Sequence, residues 1–188
     1  MPHTAFGRAM CRMQVKNKGG RKMSVYTARG DKGMTDLFTG QRIAKNSWRV
    51  KAYGALDEFG SALGMARAFC ENEEVRQYCL ELQKLNGLLM TDFASANNYE
   101  PNITHEHVVY LENAIDKIEE KLSPLKGFLI PGESKGGACL DLARTISRRA
   151  ERVMWDLTKN EVVPEEDSIF LNRISDFCFM LMRLEENR

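Results

Sequence analysis

Apolar residues recur every three or four positions through most of this 188-residue chain, and no other feature constrains its fold as strongly. A stripe at this spacing predicts an amphipathic helix that buries one face. Five segments carry it: residues 48–70, 73–97, 104–122, 137–158 and a final segment that opens after Pro164. Five such helices with short connections predict an all-α domain, most simply an up-and-down five-helix bundle.

The residues at the predicted helix ends agree with these limits. Thr104 is a favoured N-cap residue, and Ser123 precedes Pro124, which disfavours helical backbone at the position before it. The acidic run that follows Pro164 suits the positive end of a helix dipole.

The charge balance excludes several classes of function. The chain has 27 Lys and Arg against 26 Asp and Glu, a formal net charge of +1. It therefore has no overall field that would attract nucleic acid or an anionic membrane. No apolar run approaches the roughly 18 residues of a membrane span. We expect no nucleic-acid partner and no membrane segment.

The metal-ligating residue types form no recognisable site. The five cysteines are odd in number and contain no C-x-x-C pair, which argues against a disulfide framework and a zinc ribbon. The sequence HEH at 105–107 lacks a third ligand nearby, so a surface role is favoured. We expect no metal site and reduced thiols in a cytoplasmic protein.

Residues 1–22 differ from the rest of the chain. They contain six Lys or Arg and no acidic residue, and they lack the apolar region of a secretory signal. A weak organelle transit peptide and a mis-assigned start, with Met23 as the working initiator, both remain open. We expect the functional domain to cover 23–188.

A glycine-rich arm precedes the helices. The sequence VYTARGDKGMTDLFTGQR, residues 25–42, combines glycine, threonine and basic residues, as phosphate-binding loops do. No G-x-x-x-x-G-K-[ST] occurs anywhere in the chain, so this is not a Walker loop.

The fourth predicted helix carries a cationic stripe. Arg144, Arg148 and Arg152 lie four residues apart on one face, and Glu151 can pair with Arg148. Arginine suits planar recognition of phosphate or carboxylate. A solvated charged face is the alternative interpretation.

Other polar and apolar residues are unusual for a plain bundle. The loop GFLIPGESKGG, residues 127–137, places an apolar run before a helix N-terminus, which attracts anions. Asn172, Arg173 and Asp176 interrupt the apolar last helix, where polar groups cost free energy unless paired. The glycines around Asp57 predict a close helix contact, either within the bundle or with another subunit.

Five motifs carry a resemblance to a known family. They are YTARGDKGMTDLFTGQR, AYGALDEFGSALG, FLIPGESKGG, LARTISRRAER and LNRISDFCFML, in this order between Tyr26 and Arg183. Together they resemble the PduO-type ATP:cob(I)alamin adenosyltransferases. The resemblance implies a homotrimer of five-helix bundles with ATP and the corrinoid at the subunit interface. The implied reaction moves the 5′-deoxyadenosyl group of ATP to the cobalt of reduced corrinoid and releases triphosphate.

The resemblance also implies roles for individual residues. The implied ATP contacts in the arm are Thr27, Arg29, Gly30, Asp31, Lys32, Gly33 and Thr35, with Lys45 beyond it. The implied nucleotide contacts on the last two helices are Arg148, Glu151 and Asn172. Asp57 and Arg144 are implied to bridge neighbouring subunits beside the corrinoid. Phe128 is implied to displace the lower axial ligand of cobalt. Mg²⁺ is expected to accompany ATP.

Three positions depart from the family pattern. Ala28 replaces a usual Lys or Arg, so we expect either that Arg29 reaches the same phosphate or that ATP binds more weakly. Asp141 replaces a His, and Gly60 replaces an Asn. A non-catalytic ATP- or corrinoid-binding bundle is therefore the alternative. A ferritin-like metal bundle would need E-x-x-H, which the chain lacks. Expected partners are a Co(II)-reducing flavoprotein and an adenosylcobalamin-dependent enzyme.

Overall fold

The computed structural model describes residues 28–97 and 99–187. Within these residues it contains one antiparallel hairpin and five helices, which confirms the predicted five-helix bundle. The elements are β1 (Met34–Asp36), β2 (Arg42–Ala44), α1 (Trp48–Phe69), α2 (Glu73–Phe93), α3 (His105–Glu119), α4 (Lys135–Leu157) and α5 (Glu165–Glu186). The basic leader and Thr27 lie outside the described residues.

The helices pack around one apolar core. Helix α1 packs against α4 and α2, and α5 packs against α4 and α3. Phe59, Phe170 and Phe177 are fully buried at the centre. The rings of Tyr78 and Phe177 meet edge to face with their centroids 5.4 Å apart, a favoured aromatic geometry. No helix in the described part of the chain is both long and apolar enough to cross a bilayer.

Side-chain caps fix the helix starts. The Asn72 side chain accepts from the Glu74 N–H at 2.9 Å, and Ser134 Oγ accepts from the Gly137 N–H at 2.8 Å. Thr104 precedes α3 as predicted, and its N–H donates to Nδ1 of His107 at 3.0 Å. His107 therefore belongs to a helix cap, and its burial lowers its pKa.

Two helix boundaries differ from the sequence prediction. Helix α2 ends at Phe93 instead of continuing to residue 97. The buried Asp92 carboxylate accepts from the backbone N–H groups of Asn102 and Ile103, which ties the following chain segment back onto the helix end. Helix α3 ends at Glu119, three residues before the predicted limit.

The hairpin in the arm was not predicted. Its register pairs Met34 with Ala44 and Asp36 with Arg42. Gly40 has φ +94° in the connecting turn, a conformation that favours glycine. Strands of three residues are too short to show a period-two pattern, so no periodicity predicts them.

Candidate functional site

The arm, here residues 28–45, docks on the C-terminal end of α2. The Phe38 N–H donates to the Ala94 carbonyl at 2.8 Å. Thr39 Oγ1 accepts from the Ala96 N–H at 3.0 Å, and Gln41 Nε2 donates to the Ala96 carbonyl at 3.3 Å. The arm is thus fixed to the end of α2 through the residues of its hairpin turn.

Three residues with predicted phosphate contacts come together in the arm. The Gly33 N–H donates to the Gly30 carbonyl at 3.2 Å, and the Lys45 N–H donates to the Gly33 carbonyl at 2.9 Å. The Lys45 ammonium lies so close to Gly30 that a β-carbon there would be 2.8 Å from Nζ. Gly33 adopts φ +75°, which a side chain would disfavour. The two glycines therefore allow a lysine to lie directly over the turn.

The charged residues of the arm are partly paired with one another. Asp36 forms ion pairs with Arg29 at 3.2 Å and with Arg42 at 3.0 Å. Asp31 and Lys32 are exposed at the turn, and Thr35 lies in β1. Arg29 is therefore held to its own arm by Asp36. Ala28, the residue that departs from the family pattern, has φ +57°.

A second group of predicted contacts lies between α4 and α5. Asn172 Nδ2 donates to Glu151 Oε1 at 2.9 Å. Arg173 donates to Asn172 Oδ1 at 3.0 Å and pairs with Glu112 at 2.9 Å, which orients the Asn172 amide. Arg148 is exposed one turn before Glu151. Among the described residues Arg148 and Glu151 form no ion pair, so the predicted Arg148–Glu151 pairing is wrong within the chain.

Arg144 and Asp57 occupy separate environments in the subunit. Arg144 Nε donates to Asp141 Oδ1 at 2.8 Å, and both side chains are partly buried. Asp141, a departure from the family pattern, therefore holds this guanidinium. Asp57 is exposed on α1 beside a cleft. A contact between Asp57 and Arg144 of neighbouring subunits stays a prediction.

The cleft beside Asp57 has a volume of about 910 Å³ and lies between the arm, α1 and α2. Volumes of this size are typical of small-molecule sites. Its walls combine apolar, amide and glycine positions. The lining residues include Leu37, Phe38, Tyr53, Gly54, Asp57, Gly60, Gln83, Asn86, Met90 and Thr91.

The glycines of α1 bring α2 close at this cleft. Gln83 Nε2 donates to the Gly60 carbonyl at 3.1 Å, and Asn86 Nδ2 donates to the Leu56 carbonyl at 2.9 Å. A β-carbon at Gly60 would lie 3.0 Å from the Asn86 amide nitrogen. The close helix contact predicted around Asp57 is therefore made by α2 of the same chain.

The loop before α4 presents apolar side chains outward. Phe128 is fully exposed and Ile130 is 81% exposed. The N-terminus of α4 follows this loop and was expected to attract an anion. It contacts a carboxylate of its own chain, that of Glu186. The Glu186 carboxylate accepts from the Ser134 N–H at 3.1 Å, and a β-carbon at Gly137 would collide with it. The anion expected at the α4 N-terminus is therefore, in the subunit, the carboxylate of Glu186.

Sequence reasoning missed a buried polar cluster at the base of the arm. Arg49 is only 6% exposed, and its guanidinium donates to the Phe93 and Ser95 carbonyls and to Glu161. The available signal was its position, three residues before Ala52 on the apolar face. Nearby, burial and the charge of Asp92 raise the pKa of Asp167 to about 8.

Comparisons with known proteins identify the family. A sequence model of the cobalamin adenosyltransferase family matches residues 25–185. The corrinoid adenosyltransferase of Citrobacter freundii is 37% identical over 166 residues, which cover 86% of this chain and 94% of that protein. The corrinoid adenosyltransferase of Bacillus subtilis is also 37% identical and covers 88% of each chain.

A solved structure agrees with these matches. It is a variant PduO-type ATP:corrinoid adenosyltransferase from Lactobacillus reuteri, complexed with cobalamin and ATP. It superposes with a TM-score of 0.79 at 31% identity, over 86% of this chain and 90% of that one. The chain described above, with its arm, its cleft and its five-helix bundle, belongs to the cobalamin adenosyltransferase family.

Proposed function

We propose that this protein transfers the 5′-deoxyadenosyl group of ATP to the cobalt of a reduced corrinoid, with release of triphosphate. The observation that carries the proposal is the arm, in which Gly30, Gly33 and Lys45 form a compact turn and residues 36–38 line the 910 Å³ cleft. A cation over a glycine turn suits a polyphosphate, and the cleft offers room for a second substrate.

The reaction asks little acid–base chemistry of the protein. Cobalt in the +1 state uses an electron pair to form a bond to C5′ of ATP. The C5′–O bond breaks, its electron pair leaves with triphosphate, and cobalt ends in the +3 state. The protein must align cobalt with C5′, neutralise the leaving group and exclude water.

The arm is proposed to hold the triphosphate. Gly30 and Gly33 let the backbone approach the phosphates, and Lys45 supplies charge, with Arg29, Asp31, Lys32 and Thr35 contributing around the turn. Mg²⁺ is expected to arrive with ATP. The described residues contain no cluster of three or more ligand side chains, which suits an ion held chiefly by phosphates and water.

The remaining roles are proposed for residues outside the arm. Arg148 is exposed and able to reach phosphate, while Glu151 and Asn172 form a hydrogen-bonded pair suited to the nucleoside. Phe128 is proposed to displace the lower axial ligand of cobalt. Its full exposure fits a side chain that is covered only when a corrinoid or a neighbouring subunit is present.

Assembly and partners follow from the same chemistry. We propose a homotrimer in which Asp57 of one subunit approaches Arg144 of the next. Because cobalt must be reduced before transfer, a one-electron reductant such as a flavoprotein must supply the substrate, and an adenosylcobalamin-dependent enzyme consumes the product. The buried thiols Cys79 and Cys178 fit a reducing compartment such as the cytoplasm.

The test is product formation from ATP and chemically reduced cobalamin. We expect adenosylcobalamin and triphosphate in equal amounts. The competing function, a non-catalytic bundle that binds ATP or corrinoid, would give binding in a titration without either product. That result would overturn the proposal.

A further inference from the structure

The segment that receives the arm, residues 93–96, is held from two sides. Arg49 Nη1 donates to the Phe93 carbonyl at 3.0 Å and to the Ser95 carbonyl. The alternate carbonyls, those of Ala94 and Ala96, accept from the arm. The Arg49 guanidinium and the arm therefore bind alternate carbonyls of the same four-residue backbone segment.

Arg49 is itself firmly fixed. Its Nε donates to Glu161 Oε2 at 2.7 Å, and it hydrogen-bonds the Tyr99 side chain. It is 6% exposed in the first turn of α1, directly after the end of the arm. A planar group with several donors can hold two carbonyls and a carboxylate together, which a lysine ammonium cannot do in the same geometry.

We propose that Arg49 is a positioning residue for the arm: it fixes residues 93–96 and thereby places the Gly30–Lys45 turn for ATP. The last step rests on the proposed function, whereas the effect on the arm itself does not. Arg49 touches no substrate in this arrangement and acts through the backbone that it holds.

The main variant is Arg49→Lys, which keeps the positive charge and loses the planar set of donors on the guanidinium. We expect amide hydrogen exchange in residues 34–44 to become about tenfold faster, because the docking segment opens more often. The KM for ATP should rise about tenfold, while the KM for corrinoid and the kcat at saturating ATP change less than twofold. A role in global stability alone would speed exchange throughout the core and raise no KM selectively.

A second variant keeps the test decisive if Arg49→Lys folds poorly. Thr39→Val removes the two hydrogen bonds between the Thr39 hydroxyl and Ala96 and leaves the core intact. It should reproduce the faster arm exchange and the higher KM for ATP. In a double variant with Arg49→Lys and Thr39→Val, the increases in arm exchange and in the KM for ATP should not add, because both substitutions release the same contact.

Arg76→Lys serves as the matched control, since Arg76 pairs with Glu73 on the exposed face of α2. It should leave arm exchange and both KM values unchanged. Unaltered arm exchange in Arg49→Lys and Thr39→Val would overturn the positioning role. If arm exchange rises but the wild-type protein binds no ATP, the positioning of the arm stands and the proposed function fails.

Discussion

At the scale of single residues, Asp167 shows how burial changes the chemistry of a side chain. Its pKa is raised to about 8 because burial and the nearby Asp92 charge both disfavour ionisation. Glu166 and Tyr99 also lie near Asp167. Burial raises the pKa of Tyr99 to about 12, and Arg49 hydrogen-bonds the Tyr99 side chain. The pKa of Asp92 is also raised, chiefly by burial. Asp167 is therefore protonated near neutral pH and hydrogen-bonded to Asp92.

This pKa predicts a loss of stability as pH rises. The folded-state pKa of Asp167 lies above the value near 3.9 in an unfolded chain, so its contribution is complete below about pH 4 and disappears through about pH 8. Asp167→Asn replaces the titratable carboxyl with an amide, which does not ionise but can still donate to Asp92. Between pH 5 and 7 the free energy of unfolding should fall for the wild type relative to this variant by up to about 1.4 kcal/mol per pH unit.

Denaturant unfolding at several pH values and one fixed protein concentration measures this difference. Asp116→Asn, on the exposed face of α3, is the control and should run parallel to the wild type. Parallel curves for Asp167→Asn and the wild type would show that Asp167 is ionised in the folded protein.

Arg148→Ala tests the proposed phosphate contact on α4. A hydrogen bond to a charged group contributes about 1.5–3 kcal/mol, so kcat/KM for ATP should fall roughly ten- to a hundredfold. The exposed side chain makes no ion pair among the described residues, so the melting temperature should hold. Arg152→Ala, one turn further along the same stripe, should cost much less. Equal losses in both variants would mean that the stripe acts only as a diffuse positive field.

Phe128→Ala tests the proposed effect on cobalt. Because Phe128 is fully exposed in the subunit, its truncation should leave the subunit fold intact. The lower ligand or water should then remain on Co(II), so activity from Co(II) should fall far more than activity from Co(I). Electron paramagnetic resonance of Co(II)cobalamin with protein and ATP reports the coordination number. An undiminished four-coordinate signal in the variant would remove this role from Phe128.

At the scale of secondary structure, the sequence was most informative where periodicity was long. The three- and four-residue spacing predicted a helix over 48–70, and α1 covers Trp48–Phe69. The same spacing predicted too late an end for α2, because Asp92 makes a contact with a segment ten residues further on. The hairpin was missed because its strands are short and its main stabilising contacts lie with residues 94–96, far along the chain.

Gly137→Ala tests why α4 opens with glycine. A β-carbon there would collide with the Glu186 carboxylate, which caps the Ser134 N–H. The loss of this charge-assisted contact, offset by the helix propensity of alanine, should destabilise the protein by about 1–2 kcal/mol. Gly54→Ala, which meets open space, should instead be neutral or stabilising. Chemical denaturation compares the two, and equal stability of both variants would exclude the packing role of Gly137.

At the scale of the whole molecule, the candidate site is divided between surfaces. The arm docks on the end of α2, whereas Glu151 and Asn172 meet between α4 and α5, and Phe128 points outward from a third place. Sequence motifs could nominate these residues because each motif is local. In the proposed trimer their meeting point depends on how subunits pack, which no local pattern specifies. Arg49 escaped notice for a related reason, since its role appears only when α1, α2 and the 158–164 loop come together.

A mixing experiment tests whether the arm of one subunit and the α4 of its neighbour form one site. Lys45→Ala disables the arm, Arg148→Ala disables α4, and each variant alone should be weakly active. In the proposed trimers, reassembled from equal amounts, random mixing gives about a quarter of interfaces an intact arm facing an intact α4, so activity should recover to about a quarter of the wild type. The unmixed variants, treated identically, are the controls. If mixed trimers form, by mass, but activity stays at the level of the unmixed variants, each ATP site lies within a single subunit.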